Sequence, residues 1–124
     1  MEHLEVIARL KVRPGELEGF KTRVAEIVRL TREKDTQTLR YDWFHNEDET
    51  EYEVHEAYAG EEGLIEHNQH VVQARDALFG ACAFDHRMSV YGQISPHLAD
   101  LFAKHAGGLT TFSFIGGLEQ TPTV

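Results

Sequence analysis

Polar and apolar residues alternate at the start of the chain, with one face of the pattern strongly apolar. This period of two predicts a β-strand that buries one side. The apolar positions are Leu4, Val6, Ala8, Leu10 and Val12. The sequence Arg13-Pro14-Gly15 ends the strand, and Pro14 suits the first turn of a helix because that turn needs no backbone donor there.

A helical pattern follows the first strand. Apolar residues recur at steps of three and four, which predicts an amphipathic helix over residues 14–33. Residues 38–45 are rich in strand formers, the polar residues 46–50 indicate a turn, and residues 52–58 form a second strand. These two strands are predicted to make a hairpin.

The second half of the chain repeats the alternation of helix and strand. Apolar pairs seven residues apart predict a helix over 61–80, and residues 88–91 predict a short strand. Ser95-Pro96 is typical of a helix start, so a third helix is expected near 96–105, ended by Gly107-Gly108. Residues 109–115 predict a last strand. We expect one domain over residues 1–116 and a C-terminal tail over 117–124.

The predicted order is β-α-β-β-α-β with an added C-terminal helix and strand, an α+β ferredoxin-like arrangement. In this fold the first strand lies inside the sheet, beside the strand at 51–59. Tyr41 and Trp43 are predicted on one sheet face and Phe44 on the other, so neither face is clearly polar. We therefore expect a homodimer in which a second subunit covers the outer face.

Composition and charge limit the possible functions. The 124 residues suffice for one hydrophobic core. The formal net charge of −9 repels phosphate backbones, which argues against nucleic-acid partners. No apolar run is long enough for a membrane span, and the first residues lack a signal-peptide pattern, so a cytoplasmic location is expected. The single cysteine, Cys82, is interpreted as a small buried hydrophobic residue.

Several segments, in order and spacing, resemble the antibiotic-biosynthesis-monooxygenase-like (ABM) domain from about Glu5 to Ile115. They are Ala8–Gly15, Leu39–Asp42, Glu56 with Tyr58, Leu64 with His67, Val90–Gly92 and Ser95-Pro96. The resemblance implies a dimeric α/β barrel with a cavity between sheet and helices. Some members of the family are cofactor-free oxygenases of polycyclic aromatic or quinol substrates, and others degrade haem. Haem is not expected here, because the haem-degrading branch needs an Asn on the first strand and this strand offers Arg9 and Lys11.

Through the resemblance, His67 matches the histidine of the second helix and Glu56 matches the strand glutamate. Cofactor-free oxygenation needs a base, a polar group that orients the substrate, and aromatic walls that exclude water. His67 and Glu56 are therefore the predicted catalytic residues. The predicted substrate-binding residues, for a small aromatic or quinol-type molecule, are Tyr41, Trp43, Asn68 and Arg75. No cofactor and no metal are expected.

Alternatives remain open at this stage. Glu56 could form a structural ion pair with Arg9 or Arg75, and Asn68 could make a structural hydrogen bond or a dimer contact. A zinc site is a further alternative, and its ligands would come from His67, His70, Glu66 and His86. The protein could also be a non-enzymatic dimer that binds a hydrophobic metabolite, or an assembly module without a cavity.

Overall fold

A computed structural model describes residues 3–119, which form one five-stranded mixed sheet and three helices. The arrangement is the predicted α+β ferredoxin-like fold, β-α-β-β-α-β with an added helix and strand. In chain order the elements are β1 (Leu4–Val12), α1 (Leu17–Lys34), β2 (Thr38–His45), β3 (Glu51–Tyr58), α2 (Glu61–Ala81), β4 (Ala83–Tyr91), α3 (Pro96–His105) and β5 (Gly108–Phe112).

The strand order is β2-β3-β1-β4-β5, which places β1 in the interior of the sheet. β1 pairs antiparallel with β3 on one side and with β4 on the other, whereas β5 joins β4 in parallel. The prediction that the first strand lies beside the strand at 51–59 is confirmed. The central position follows from the apolar side chains of β1, which need cover from the helices along the whole strand.

Two apolar clusters hold the helices to the sheet. In the first, Phe20 and Ile27 of α1 and Val71 and Leu78 of α2 pack with Leu10 and other sheet residues. The second cluster is centred on the start of β1 and the end of β4, and α3 covers it. Its buried members are Leu4, Val6, Tyr58, Leu64, Val90, Leu98 and Phe102. The added helix therefore completes the core on the β4 side of the sheet.

The segment between β1 and α1 differs from its prediction. Pro14 lies in a turn before the helix, and α1 begins at Leu17. The backbone N–H of Glu16 donates to the carbonyl oxygen of Arg13 at 3.0 Å, and Gly15 has a φ of 81°. This pattern is typical of a type II turn, which favours Pro at its second position and Gly at its third. The Pro-Gly pair therefore serves the turn.

β4 is longer than the predicted strand at 88–91. The sequence hid its first half because Asp85 has a φ of 54° and the pairing of β1 with β4 shifts between Arg9 and Lys11. Such a bulge breaks the alternation that reveals a strand. β5 is shorter than the predicted strand at 109–115: it begins one residue earlier, at Gly108, and ends at Phe112.

The described part of the expected tail, 117–119, belongs to no helix or strand, and 120–124 lie outside the described residues. Of the three described helices, none has the length and apolar character that crossing a bilayer requires.

Two glycines of α2 provide a matched test of packing between this helix and the sheet. A Cβ at Gly63 would lie 3.0 Å from the Gln37 Cβ, 3.1 Å from the Gln37 carbonyl oxygen and 3.2 Å from the Tyr58 Cβ, whereas nothing lies within 4 Å of one at Gly80. We expect Gly63→Ala to lower the free energy of unfolding by about 1–3 kcal/mol. Gly80→Ala should raise it by about 0.5–1 kcal/mol through helix propensity alone.

Urea denaturation of both variants measures these changes. An equal stabilisation by the two substitutions would contradict the close approach of α2 to residues 37 and 58.

Candidate functional site

A cavity of about 440 Å³ lies between the inner face of the sheet and helices α2 and α3. Its walls are mainly apolar, and α3 contributes Leu98, Leu101 and Phe102. All six residues that the sequence singled out line this cavity: Tyr41, Trp43, Glu56, His67, Asn68 and Arg75. β2, β3 and α2 bring them together, because their inward positions fall at steps of two on the strands and of three or four on the helix.

His67 is buried on α2, with 3% of its surface exposed. Its Nδ1 lies 2.7 Å from Asp35 Oδ2. Burial lowers the pKa of His67, against an opposing effect of Asp35. Since the carboxylate can only accept, Nδ1 carries the proton and Nε2 keeps its lone pair. Among the described residues, no group hydrogen-bonds to Nε2.

Asp35 is the site residue that the sequence did not reveal. It follows the C-terminal end of α1, and its buried carboxylate accepts from three side chains: His67, His70 at 2.6 Å and Thr38 at 2.6 Å. Burial alone would raise the pKa of Asp35, but these three hydrogen bonds outweigh it and lower the pKa. An acidic residue directly after a helix C-terminus interacts unfavourably with the helix dipole. This unfavourable position of Asp35 was the feature of the sequence that could have indicated a special role.

Glu56 is buried on β3 and accepts a short hydrogen bond from the hydroxyl of Tyr58. Burial raises the pKa of Glu56 to about 7, against the opposing effects of the Tyr58 hydrogen bond and the Arg75 charge. The alternative of an ion pair between Glu56 and Arg9 or Arg75 is not formed within one chain. Arg9 pairs with Glu53, and the guanidinium of Arg75 lies outside ion-pair distance of every described carboxylate.

Asn68 and Arg75 form a pair on α2. Arg75 Nη1 donates to Asn68 Oδ1 at 2.6 Å. The two residues are separated by seven positions, or two helical turns, so the long Arg75 side chain extends back along the helix toward His67. The Arg75 charge also affects the pKa values of Glu56, Tyr41 and His67, which indicates that the guanidinium lies near all three groups.

Aromatic rings enclose the imidazole of His67. The ring centroids of Tyr41 and Tyr58 lie 4.7 Å and 5.5 Å from that of His67. Tyr41 also contacts Trp43 edge-on, with centroids 6.3 Å apart. Burial raises the pKa of Tyr41 well above its usual value, so its hydroxyl stays protonated and can donate a hydrogen bond.

The four histidine and glutamate side chains considered for zinc are not brought together as one set. His67 and His70 share Asp35, while His86 stacks on Phe79 with ring centroids 4.7 Å apart. Asp35, Glu66 and His70 do place one potential ligand atom each within 4.8 Å of one another. However, both Glu66 oxygens accept hydrogen bonds from Thr36, and both Asp35 oxygens accept from neighbouring side chains. Each of these carboxylate oxygens therefore already has a partner within the protein.

Solved structures share the fold. MupZ from Pseudomonas fluorescens is 19% identical with a TM-score of 0.76, and the match covers 100% of this chain and 99% of that one. Rv0793 from Mycobacterium tuberculosis is 22% identical with a TM-score of 0.64, and the match covers 75% of this chain and 96% of that one. A mutant of SnoaB, a cofactor-independent oxygenase from Streptomyces nogalater, is 13% identical with a TM-score of 0.64. That match covers 77% of this chain and 99% of the SnoaB chain. At these identities the likeness concerns the fold alone.

Sequence comparison identifies the family. No curated protein matches the chain significantly. The sequence profile of the antibiotic biosynthesis monooxygenase family matches residues 4–76, a stretch that contains all six predicted site residues and Asp35. Because that stretch is more than half of the 124-residue chain, the protein belongs to the antibiotic biosynthesis monooxygenase family.

Proposed function

We propose that this protein is a cofactor-independent monooxygenase that oxidises a small aromatic, quinol-type substrate in the cavity beside His67. The observation that carries the proposal is a pair of proton-accepting groups with opposite pKa shifts in a largely apolar cavity. The pKa of His67 is lowered and that of Glu56 is raised to about 7, both chiefly by burial. Family membership and the fold shared with SnoaB, a cofactor-independent oxygenase, support the same reaction class.

His67 is the proposed general base. A neutral imidazole at pH 7 can accept a phenolic proton at Nε2 while Nδ1–H remains bonded to Asp35. The Asp35 carboxylate then stabilises the imidazolium that forms, and it fixes the ring so that Nε2 stays available. Tyr41 and Trp43 provide the aromatic surface against which a planar substrate can pack.

Deprotonation makes the substrate electron-rich, so the substrate itself can reduce oxygen. A ring carbon of the phenolate forms a C–O bond with O₂, and the peroxide anion that results takes up a proton to become a hydroperoxide. Loss of the proton on the same carbon then breaks the O–O bond, which releases water and leaves one oxygen atom on the substrate as a quinone carbonyl. The substrate is oxidised by two electron pairs, which reduce the two atoms of O₂. Glu56, with a pKa of about 7, can supply or take back the proton of the water-forming step.

A second candidate function is binding of a hydrophobic metabolite without chemistry. The apolar walls of the cavity favour it, since binding needs only an enclosed space. Loss of turnover on removing the base separates the two functions, because a binding protein has no turnover to lose.

His67→Ala tests the catalytic role. We expect the variant to fold and to lower turnover of a hydroquinone or anthrone-type substrate by roughly 10²–10⁴-fold, the usual effect of losing a general base. Oxygen uptake, followed with an oxygen electrode and corrected for autoxidation, measures the change.

His97→Ala, which removes an exposed imidazole from α3, is the matched control and should retain full activity. If the alanine variant unfolds, His67→Gln preserves a donor to Asp35 and should be equally inactive. Turnover by His67→Gln within threefold of wild type would rule out the base.

Glu56 should make stability depend on pH. A carboxyl group whose pKa is raised in the folded state stabilises the fold fully below its unfolded pKa, and this contribution is lost as pH rises through the folded value. Here the window runs from the ordinary value of 4.5 to about 7. Between pH 5 and pH 8, we expect the free energy of unfolding of wild type to fall by roughly 2–3 kcal/mol relative to that of Glu56→Gln.

Denaturant titrations at several pH values measure this difference. Gln can still accept from the Tyr58 hydroxyl, so the substitution removes the charge while keeping the hydrogen bond. Glu47→Gln, in the exposed turn between β2 and β3, is the control and should follow wild type. Parallel curves for wild type and Glu56→Gln would show that Glu56 does not titrate in this range.

We further propose that the outer face of the sheet forms a homodimer. Its apolar side chains include Phe44 and Phe112, each 47% exposed, and the chain after β5 adds Phe114 and Ile115. A shallow depression of about 490 Å³ lies between this terminal segment and the outer face. Phe112, Phe114 and Ile115 all line this depression, and such a group of exposed apolar side chains is typical of interaction sites.

Size-exclusion chromatography with light scattering should therefore give about twice the 14.1 kDa mass of the chain. Phe112→Asp should shift the population toward monomer, because it places a charge in the apolar interface. A wild-type mass of one chain at micromolar concentration would exclude the dimer.

A further inference from the structure

We infer that the ligand of this cavity is an acid, whose carboxylate binds Arg75 and Asn68 while its hydrophobic body fills the apolar part. The inference rests on the proposed function in that it names the substrate class for the same cavity. Its argument depends on the charge balance around Arg75.

Arg75 is the cation of the cavity: among the described residues, no other Lys or Arg lines it. Its hydrogen bond goes to the neutral amide oxygen of Asn68. Four other arginines, Arg9, Arg29, Arg40 and Arg87, each pair with a carboxylate within 4.0 Å. The remaining arginines without an ion pair, Arg13, Arg23 and Arg32, lie outside the cavity lining at exposed or partly exposed positions, so Arg75 differs from them by its place in the cavity. The cavity therefore holds a guanidinium with no anionic partner within ion-pair distance.

The ionisable groups near Arg75 do not pair with this charge. The Asp35 carboxylate lies beyond the cavity lining, accepts hydrogen bonds from three other side chains, and is outside ion-pair distance of Arg75. The Glu56 carboxyl is bonded to Tyr58, and with a pKa of about 7 it is only partly ionised at neutral pH. The pKa of His67 is lowered, so this residue is neutral. Asp76, which also lines the cavity, is exposed and forms no ion pair with Arg75. A half-buried cation without a counter-ion is costly, and an anionic ligand removes that cost.

The donor geometry fits a carboxylate. A guanidinium has five N–H donors in a planar fork, and the Asn68 contact accounts for one nitrogen. The fork matches the two oxygens of a carboxylate, and a charge-assisted pair of this type is stronger than a neutral hydrogen bond. Because Asn68 Oδ1 is already bonded to Arg75, its amide NH₂ remains to donate to the same anion. The polar end of the cavity thus offers donors to a ligand.

The rest of the cavity fits an apolar body. Val72, Met88, Leu101 and Phe102 line it, and the volume of about 440 Å³ is within the range of small-molecule sites. The chain as a whole carries a net charge of −9, so its overall field repels anions. Affinity for an acid must therefore come from local contacts with Arg75 and Asn68.

Isothermal titration calorimetry with a matched pair of probes tests the inference. 6-Hydroxy-2-naphthoate carries the carboxylate, and 6-hydroxy-2-naphthamide has the same shape without the charge. We expect wild type to bind the acid roughly 10- to 100-fold more tightly than the amide, the range for hydrogen bonds to a charged group. Arg75→Met should abolish this preference because it weakens binding of the acid. The affinity for the amide should change by less than about threefold.

Arg32→Met is the control, because it removes one positive charge from an exposed position on α1 outside the cavity lining. It should keep the full preference for the acid. Arg75→Lys retains the charge without the fork and should lose part of the preference, which keeps the test valid if the methionine variant fails to fold.

Three results would overturn the inference: equal binding of acid and amide by wild type, no binding of either at millimolar concentration, or an unchanged preference in Arg75→Met. The proposed oxygenase function fails separately. Binding of the acid without any oxygen uptake would refute turnover and leave the ligand class intact. Turnover of a hydroquinone that His67→Ala abolishes, together with equal binding of acid and amide by wild type, would do the reverse.

Discussion

One buried carboxylate organises the site. Asp35 lies where α1 ends and the chain turns into β2, and it accepts hydrogen bonds from Thr38 on β2 and from His67 and His70 on α2. It therefore connects three elements through a single charged group. An ionised carboxylate with 1% of its side chain exposed is stable only when donors surround it, so the four side chains depend on one another. The orientation of the His67 ring follows from this arrangement.

The cavity separates protonation states by environment. His67 and Glu56 are both buried, and burial favours the neutral form of each. His67 therefore remains a base, while Glu56 is only partly ionised near neutral pH. The Arg75 cation adds a positive charge beside them without pairing with either. A site built in this way resists proton uptake by its histidine and favours negative charge on whatever occupies it.

Sequence reasoning predicted the fold and the cavity residues well, because these depend on periodic patterns. The inward positions of β2, β3 and α2 follow from steps of two, three and four, and so Tyr41, Glu56 and His67 could be assigned to one space. It failed where conformation depends on single residues or long-range contacts. The left-handed Asp85 hid half of β4, and the partner of Glu56 proved to be Tyr58, two residues along the same strand.

The cavity wall that α3 contributes lies outside the stretch that the family profile matches. The family profile covers residues 4–76, which include the proposed base and its carboxylate, while Leu98, Leu101 and Phe102 come later in the chain. The backbone N–H of Ser95 donates to Glu61 at 2.8 Å, so the start of α3 is held at the start of α2. Substitutions in α3 can therefore reshape the cavity without moving the proton-handling groups. In the proposed function, part of the wall that limits ligand size therefore comes from a segment that contains neither the proposed base nor its carboxylate.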